Sequence, residues 1–270
     1  MNIENLYGYG EKSFEDRYSV MRRTTRNKQL QLSHVDKLGY FCWYNWANNI
    51  TFLDKSWPSG PKLLNAQEDA DFFRAQALHH LLAEAHSEAR ESIFTVVHGS
   101  YKLAAFSLRN TLELSLLGLY SYDHYREYQD SFIEEKRRTP SFREALRYIF
   151  GKSPFQEFDL MFSLQEQISS TYDRLSRFVH TRGLDRNIIM YSGQTSLSEQ
   201  AHDELFDQWY SDFCEVADVT NTSLILSYPE VINPKPGDRF YTHYKINANP
   251  FWCLEILSEE RLKQLKQVLT

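Results

Sequence analysis

Between residues 66 and 139 the chain carries no proline, and its apolar residues recur at helical steps over most of that length. A segment this long with a 3.6-residue apolar period folds as helix, and the rest of the chain must pack against it. Phe72, Phe73, Ala77, Leu78 and Leu81 form one stripe. Ile93, Val97, Tyr101, Ala104, Leu108, Leu112, Leu116 and Leu119 belong to a second, joined by Phe94 and Ala105. The second is apolar on much of its circumference, which places it at the centre of a bundle. Gly99 is the one expected break before Gly118.

Further helices follow from the same period. Residues 123 to 138 are charged, and 139 to 152 read as a short helix opened by Thr139-Pro140 and closed by Gly151 and Pro154. A long helix is expected from about 155 to 180, carried by Phe158, Met161, Phe162, Ile168, Tyr172, Leu175 and Val179, with Gly183 just beyond it. Ser196 and Glu199 make a capping-box start for a helix over roughly 197 to 226. Ser258 caps a last short helix, and Phe240 to Tyr244 read as a strand-like piece. The expected architecture is all-α: a helical bundle over 65–226, with small irregular extensions over 1–64 and 227–270. The aromatic run from Gly39 to Trp46 reads as a short strand or helix docked on the core, with base stacking as the alternative.

Charge and cysteine usage exclude several classes. The net charge is −6, so the whole molecule is not an electrostatic binder of nucleic acid, and any such site must be a local basic patch. Cys42, Cys214 and Cys253 are widely spaced, which gives neither a disulfide framework nor a zinc pattern. With no signal-like N-terminus and no run of about 18 apolar residues, a cytoplasmic protein without a membrane span is expected. No Gly-rich phosphate loop, nucleophile elbow or dinucleotide fingerprint occurs, so no cofactor and no metal are expected.

Chemistry concentrates in the stretch Tyr172 to Gly183. Imidazole moves protons near neutral pH, and guanidinium holds phosphate oxygens, so Arg174 and His180 together suit metal-free RNA cleavage. Asp173, Ser176, Arg177 and His180 share one strip of an ideal helix, while Arg174 lies about 120° around from His180. Arg177 and His180 also have a simpler role, since cations are stabilised at a helix C-terminus. Arg109 and Glu113, four apart among leucines, read either as an ion pair fixing helix register or as supports that orient the Arg174–His180 helix end, with Tyr172 and Asp173 beside it. Lys136, Arg137, Arg138, Arg143, Arg147 and Lys152 make a basic segment, and Arg22, Arg23, Arg26 and Lys28 another. Each is a solvated face or a phosphate-tracking groove, and Arg137, Arg138, Arg143 and Arg147 are the candidate RNA contacts.

The helix Ser107-Leu108-Arg109-Asn110-Thr111-Leu112-Glu113-Leu114, followed by one ending Tyr172-x-x-Leu175-Ser176-x-Phe178-Val179-His180, resembles the HEPN-like helical superfamily over roughly residues 70 to 225. Many of its members act in bacterial toxin–antitoxin and anti-phage systems. The resemblance implies a metal-independent endoribonuclease, completed by a symmetric homodimer, that cleaves through the ribose 2′-hydroxyl to leave a 2′,3′-cyclic phosphate. His180 would then be the general acid or base, and Arg174, helped by Arg177 or Arg182, would stabilise the phosphorane charge. Leu175 stands where the best-matching active members carry a polar residue. With the acidic net charge it favours the alternative, a non-catalytic helical binding or regulatory module acting through a ligand or a partner protein.

Overall fold

The computed structural model describes residues 18–48, 66–136, 138–179, 202–229, 232 and 252–269. Among the described residues 88% are helical and none lies in a strand, so the fold is all-α. A helical stretch over 18–27 leads into α1 (Gln29–Gly39), which runs on as a π-helical turn, Tyr40–Tyr44. Then come α2 (Ala66–Val97), α3 (Tyr101–Asp123), α4 (Phe142–Ile149), α5 (Ser153–Phe162), α6 (Leu164–Val179), α7 (Asp203–Ser227) and α8 (Glu259–Leu269). Short helical turns, Tyr125–Tyr128 and Gln129–Ile133, join α3 to α4, and Trp252–Glu255 precedes α8.

Gly99 divides the proline-free segment as its sequence demands. Its φ of 77° is a left-handed conformation that side-chain-bearing residues rarely adopt. The Gly99 amide donates to the Val96 carbonyl at 2.9 Å and the Ser100 amide to the Thr95 carbonyl at 3.0 Å, the paired closing bonds of a Schellman turn. α3 therefore folds back antiparallel along α2. The two approach closely at Gly118, where a Cβ would stand 3.0 Å from Leu78 Cδ1. Leu78, Leu82, Ala85 and Ala89 of α2 and Ala104, Leu108, Leu112 and Leu116 of α3 are all fully buried. α3 is central: it packs against α2, α4, α6 and α7.

The aromatic run of residues 39 to 46 docks on this bundle as a helix. Trp43 and Trp46 are fully buried, and each indole N–H has a partner, Ser115 Oγ at 2.9 Å and Asn221 Oδ1 at 2.9 Å. Buried indoles need such acceptors, because an unpaired N–H costs about 1–3 kcal/mol. Trp209 follows the same rule, donating to Ser92 Oγ at 2.8 Å. Asn221 in turn donates to the Cys253 carbonyl at 2.6 Å, tying the C-terminal residues to α7. The core thus draws residues from α1 and its π-helical extension, from the Trp252–Glu255 turn and from α8 as well as from the central bundle.

Two boundaries differ from the sequence expectation. The helix expected over 155–180 is two helices, because Ser163 takes φ 52°, ψ 42° between them. Asp159 Oδ1 accepts from the Gln165 amide at 2.7 Å, and Gln167 Nε2 donates to the Phe162 carbonyl at 2.7 Å, so side chains satisfy backbone groups freed by the break. Neither glycine nor proline marks this site. The short helix also starts later than Thr139-Pro140. Ser141 is its cap: the Glu144 amide donates to Ser141 Oγ at 3.3 Å and the Ser141 amide donates to Glu144 Oε2 at 2.6 Å. Pro154 sits in the first turn of α5. Ser258 caps α8 as expected, accepting from the Arg261 amide at 3.1 Å. Ser196, Glu199 and the 240–244 piece lie outside the described residues.

Candidate functional site

α7 is an acidic spine held by cations from other elements. Lys28 bonds Asp207 at 2.8 Å and lies 3.4 Å from Asp203. Arg174 of α6 reaches Asp212 and Glu215, and Arg261 of α8 reaches Asp218 at 2.7 Å. Asp212, Glu215 and Asp218 recur at three-residue steps, so each lies about 60° around the helix from the one before and the row winds across about 120° of its surface.

Arg174 is the best-defined member. Its Nε donates to Asp212 Oδ1 at 2.7 Å, and its Nη2 donates to Glu215 Oε2. Gln208 Nε2 also donates to Asp212 Oδ1, at 3.0 Å, and Thr171 Oγ1 donates to Glu215 Oε1 at 2.8 Å. The Asp212 side chain is only 5% exposed. Burial pushes its carboxyl above the ordinary carboxylate range, with Arg174 pulling it back only in part. Burial opposes the charge on Arg174, but the two carboxylates outweigh it and raise its pKa further. Arg174 is therefore a guanidinium already facing two acids. A phosphate that approached it would have to displace or overcome both.

The neighbouring residue explains itself. Leu175 is 1% exposed and lies in the main core with Ile168. Its apolar identity is a packing requirement of α6. Asp173 and Arg177 point outward and are exposed. Arg177 makes no ion pair among the described residues. His180, the other half of the expected pair, lies outside the described residues, as do Arg137 and Arg182.

Arg109 and Glu113 are brought together as expected, Nη2 to Oε2 at 3.2 Å, with side chains 19% and 26% exposed. Arg109 also donates to the Tyr172 hydroxyl, and its guanidinium lies 4.7 Å from the centre of the Tyr172 ring. The Tyr172 hydroxyl is 3.4 Å from Glu113 Oε2. Phe142 of α4 stacks on Tyr172, its ring 3.8 Å away and 8° from parallel. Arg109 and Glu113 thus touch the helix that bears Arg174, through Tyr172, two positions before it. Burial raises the Tyr172 pKa, so the phenol stays protonated and able to donate.

The basic segment is split by the fold. Arg138 and Arg147 line an open cleft of about 460 Å³ together with Tyr120, His124, Glu127, Pro140, Glu144 and Tyr148. Arg138 Nη2 donates to both carboxylate oxygens of Glu144, at 2.9 Å each. Arg143 is exposed one turn before Arg147 and does not line the cleft. Lys152 pairs with Asp123. The aromatic wall of this cleft comes from α3, the residue after it, and α4. No local pattern in the sequence joins Tyr120 and His124 to Tyr148. Their spacing on α3 and the adjoining turn, with basic residues downstream, was the only available signal.

A second cleft, of about 480 Å³, lies beside the Arg174 network and is lined by His34, Cys214, Glu215, Asp218 and Arg261 among others. His34 Nδ1 is 2.8 Å from the Tyr210 hydroxyl. Arg261 is fully committed there, to Asp218, to Gln167 Oε1 at 2.7 Å and to Gln264 Oε1 at 3.1 Å. His79 and His80 point apart, to the Ala47 carbonyl and the Tyr128 hydroxyl. Among the described residues no group of His, Cys, Asp and Glu is arranged to hold a metal ion, and no helix is long and apolar enough to cross a membrane.

Comparison with protein-family models, with curated proteins and with solved structures finds no match for this chain.

Proposed function

We propose that this chain is a helical binding or regulatory module that acts through a ligand or partner rather than through catalysis at Arg174. The observation that carries this reading is the Arg174 contact with Asp212 and Glu215. Catalysis of phosphoryl transfer needs a cation whose field falls on the charge developing in the transition state. A guanidinium paired with two acids supplies little of that field, and freeing it would leave the buried Asp212 charge without its partner. Leu175, committed to the core, agrees with a helix selected here for packing.

One observation favours a second reading, the metal-independent endoribonuclease of a bacterial defence or toxin-like system. Arg177 is exposed, has no ion pair among the described residues, and precedes His180 by three positions. In that reading Arg177, not Arg174, would hold the phosphate while His180 moves the proton at the 2′-hydroxyl. A homodimer through α6, of the two-fold kind commonest among assemblies, would complete the site.

The two readings separate in one assay. Purified protein is incubated with single-stranded and hairpin RNA in the presence of chelator, beside His180→Ala and Arg177→Ala. The binding module gives no cleavage above the His180→Ala control. Cleavage lost in both variants, with 2′,3′-cyclic phosphate ends, establishes the ribonuclease. Light scattering at micromolar concentration reports the dimer independently.

A further inference from the structure

The cleft between the end of α3 and α4 has a composition that the Arg174 network lacks: an aromatic wall beside an uncommitted cation. Tyr120 and His124 stack at 4.1 Å, 6° from parallel, and Tyr148 stands edge-on to both, 4.3 Å from His124 and 5.3 Å from Tyr120. The His124 ring is held by Nδ1, 3.1 Å from the Tyr120 carbonyl. These rings are half-buried, so their outer surfaces line the opening. Arg147, next to Tyr148 in α4 and lining the same cleft, is exposed and makes no ion pair among the described residues. Arg138 also lines the cleft but is held by Glu144.

Two carboxylates also line the cleft, and each is engaged. Glu144 takes Arg138 and the Ser141 cap. Glu127 Oε2 accepts from the Tyr120 hydroxyl at 2.9 Å. Arg138 and Glu144 neutralise each other, so Arg147 is the unpaired cation of the cleft, while the hydrogen bond from a neutral hydroxyl leaves the charge of Glu127 in place. Its volume, about 460 Å³, falls in the range of roughly 300–1,000 Å³ typical of small-ligand sites. Histidine and tyrosine rings are the usual stacking platforms for an unpaired base, and an exposed arginine is the usual phosphate contact.

We propose that this cleft binds one phosphorylated nucleotide unit, its ring on the Tyr120–His124–Tyr148 wall and its phosphate on Arg147. The inference rests on the binding-module reading and names its ligand class. The unit is either a free mononucleotide or one residue of a single-stranded RNA. Both present the same ring and phosphate, and the assay separates them.

The full chain is titrated with adenosine 5′-monophosphate, adenosine, inorganic phosphate and a labelled hexa-adenylate RNA, at low and at moderate salt. Binding of the monophosphate or of the RNA is expected, at least tenfold tighter than adenosine or phosphate alone and weakening with salt. Response to the monophosphate assigns a free nucleotide, and response to the RNA alone assigns a strand. Arg147→Glu, an exposed change checked for an unaltered helical spectrum, is expected to weaken binding at least tenfold. Glu127→Gln keeps an acceptor for Tyr120 while removing a like charge, and is expected to tighten it two- to threefold. Undetectable binding of both ligands at millimolar concentration overturns the proposal. So does equal binding of phosphate and monophosphate, or binding indifferent to Arg147→Glu. None of these results bears on RNA cleavage that depends on His180, which the chelator assay judges by itself.

Discussion

Arg174 Nε and Asp212 Oδ1 meet at 2.7 Å across the α6–α7 interface, joining residues 38 positions apart in the chain. The same guanidinium reaches Glu215 one turn along α7. Arg174, a candidate catalytic residue by its sequence, thus clamps α6 to α7 in the fold.

That clamp carries stability. Asp212→Ala is expected to destabilise the protein by about 2–3 kcal/mol, the scale of losing hydrogen bonds to a charged group. The loss falls short of the roughly 3–5 kcal/mol seen when a buried pair is broken outright, because Glu215 stays with Arg174 and the pair is partly solvated. Asp212→Asn keeps an acceptor and removes a buried charge whose carboxyl is already pushed up by burial, so it is expected to cost less than Asp212→Ala. Urea unfolding of both, with Arg174→Ala and Arg174→Ala/Asp212→Ala completing a double-mutant cycle, measures the coupling. An Asp212→Ala protein as stable as the parent would remove the clamp.

Parts of this were legible beforehand and parts were not, for a physical reason. Gly99 could be read because a left-handed turn leaves few alternatives to glycine. Arg109 and Glu113 could be paired because four residues make one helical turn. The stripe from Ile93 to Leu119 could be placed at the centre of the bundle from its apolar circumference, and its larger part, from Tyr101 on, is α3, which lies there. Ser163 could not be read as a break, since what permits it is the reach of Asp159 and Gln167 back to the backbone. The partners of Arg174 leave no local trace either: α7 supplies them from a distance, and charge pairs across helices have no sequence period. The Tyr120–His124–Tyr148 wall was hidden for the same reason.

The cysteines should report burial chemically. Cys42 and Cys253 are fully buried, and burial pushes the thiols up, Cys253 to about 12. Cys214 is half-exposed on the cleft beside His34, though burial raises its pKa as well. Since the thiolate is the reacting form, a disulfide reagent at neutral pH is expected to label Cys214 slowly and the other two only on unfolding. Mass mapping after timed labelling checks the order. Native labelling of Cys42 ahead of Cys214 would contradict the packing of the 40–47 segment.

The capping box of α4 predicts an acid-sensitive element. The Ser141 hydroxyl and amide, with Arg138, hold the Glu144 carboxyl below its ordinary value of 4.5. A carboxylate with a depressed folded pKa stabilises fully above its unfolded value and loses that contribution as pH falls through the folded one. Protection of the α4 amides against hydrogen exchange should therefore decline below about pH 4.5 ahead of α3. Glu144→Gln should show weaker protection at neutral pH and little further change on acidification. Equal acid sensitivity in both proteins would place the titration elsewhere.

Arg174 and Arg177 lie one helical turn apart in opposite surroundings, one ion-paired to α7 and the other exposed. Arg174→Ala removes both bonds to α7 and exposes the buried Asp212 charge to no partner but Gln208, so its main effect is expected on stability, at about 2–3 kcal/mol. Arg177 is exposed on the outer face of α6, so Arg177→Ala is expected to change stability by less than about 0.5 kcal/mol. Any RNA affinity of this helix end should then respond to Arg177→Ala with a reduced salt dependence, because one phosphate contact is lost. Arg174→Ala should leave that slope unchanged at temperatures where it remains folded. Thermal melts paired with RNA binding at several salt concentrations give both quantities for each variant. A stable Arg174→Ala protein with a lowered salt slope would return Arg174 to the phosphate, and with it the ribonuclease reading.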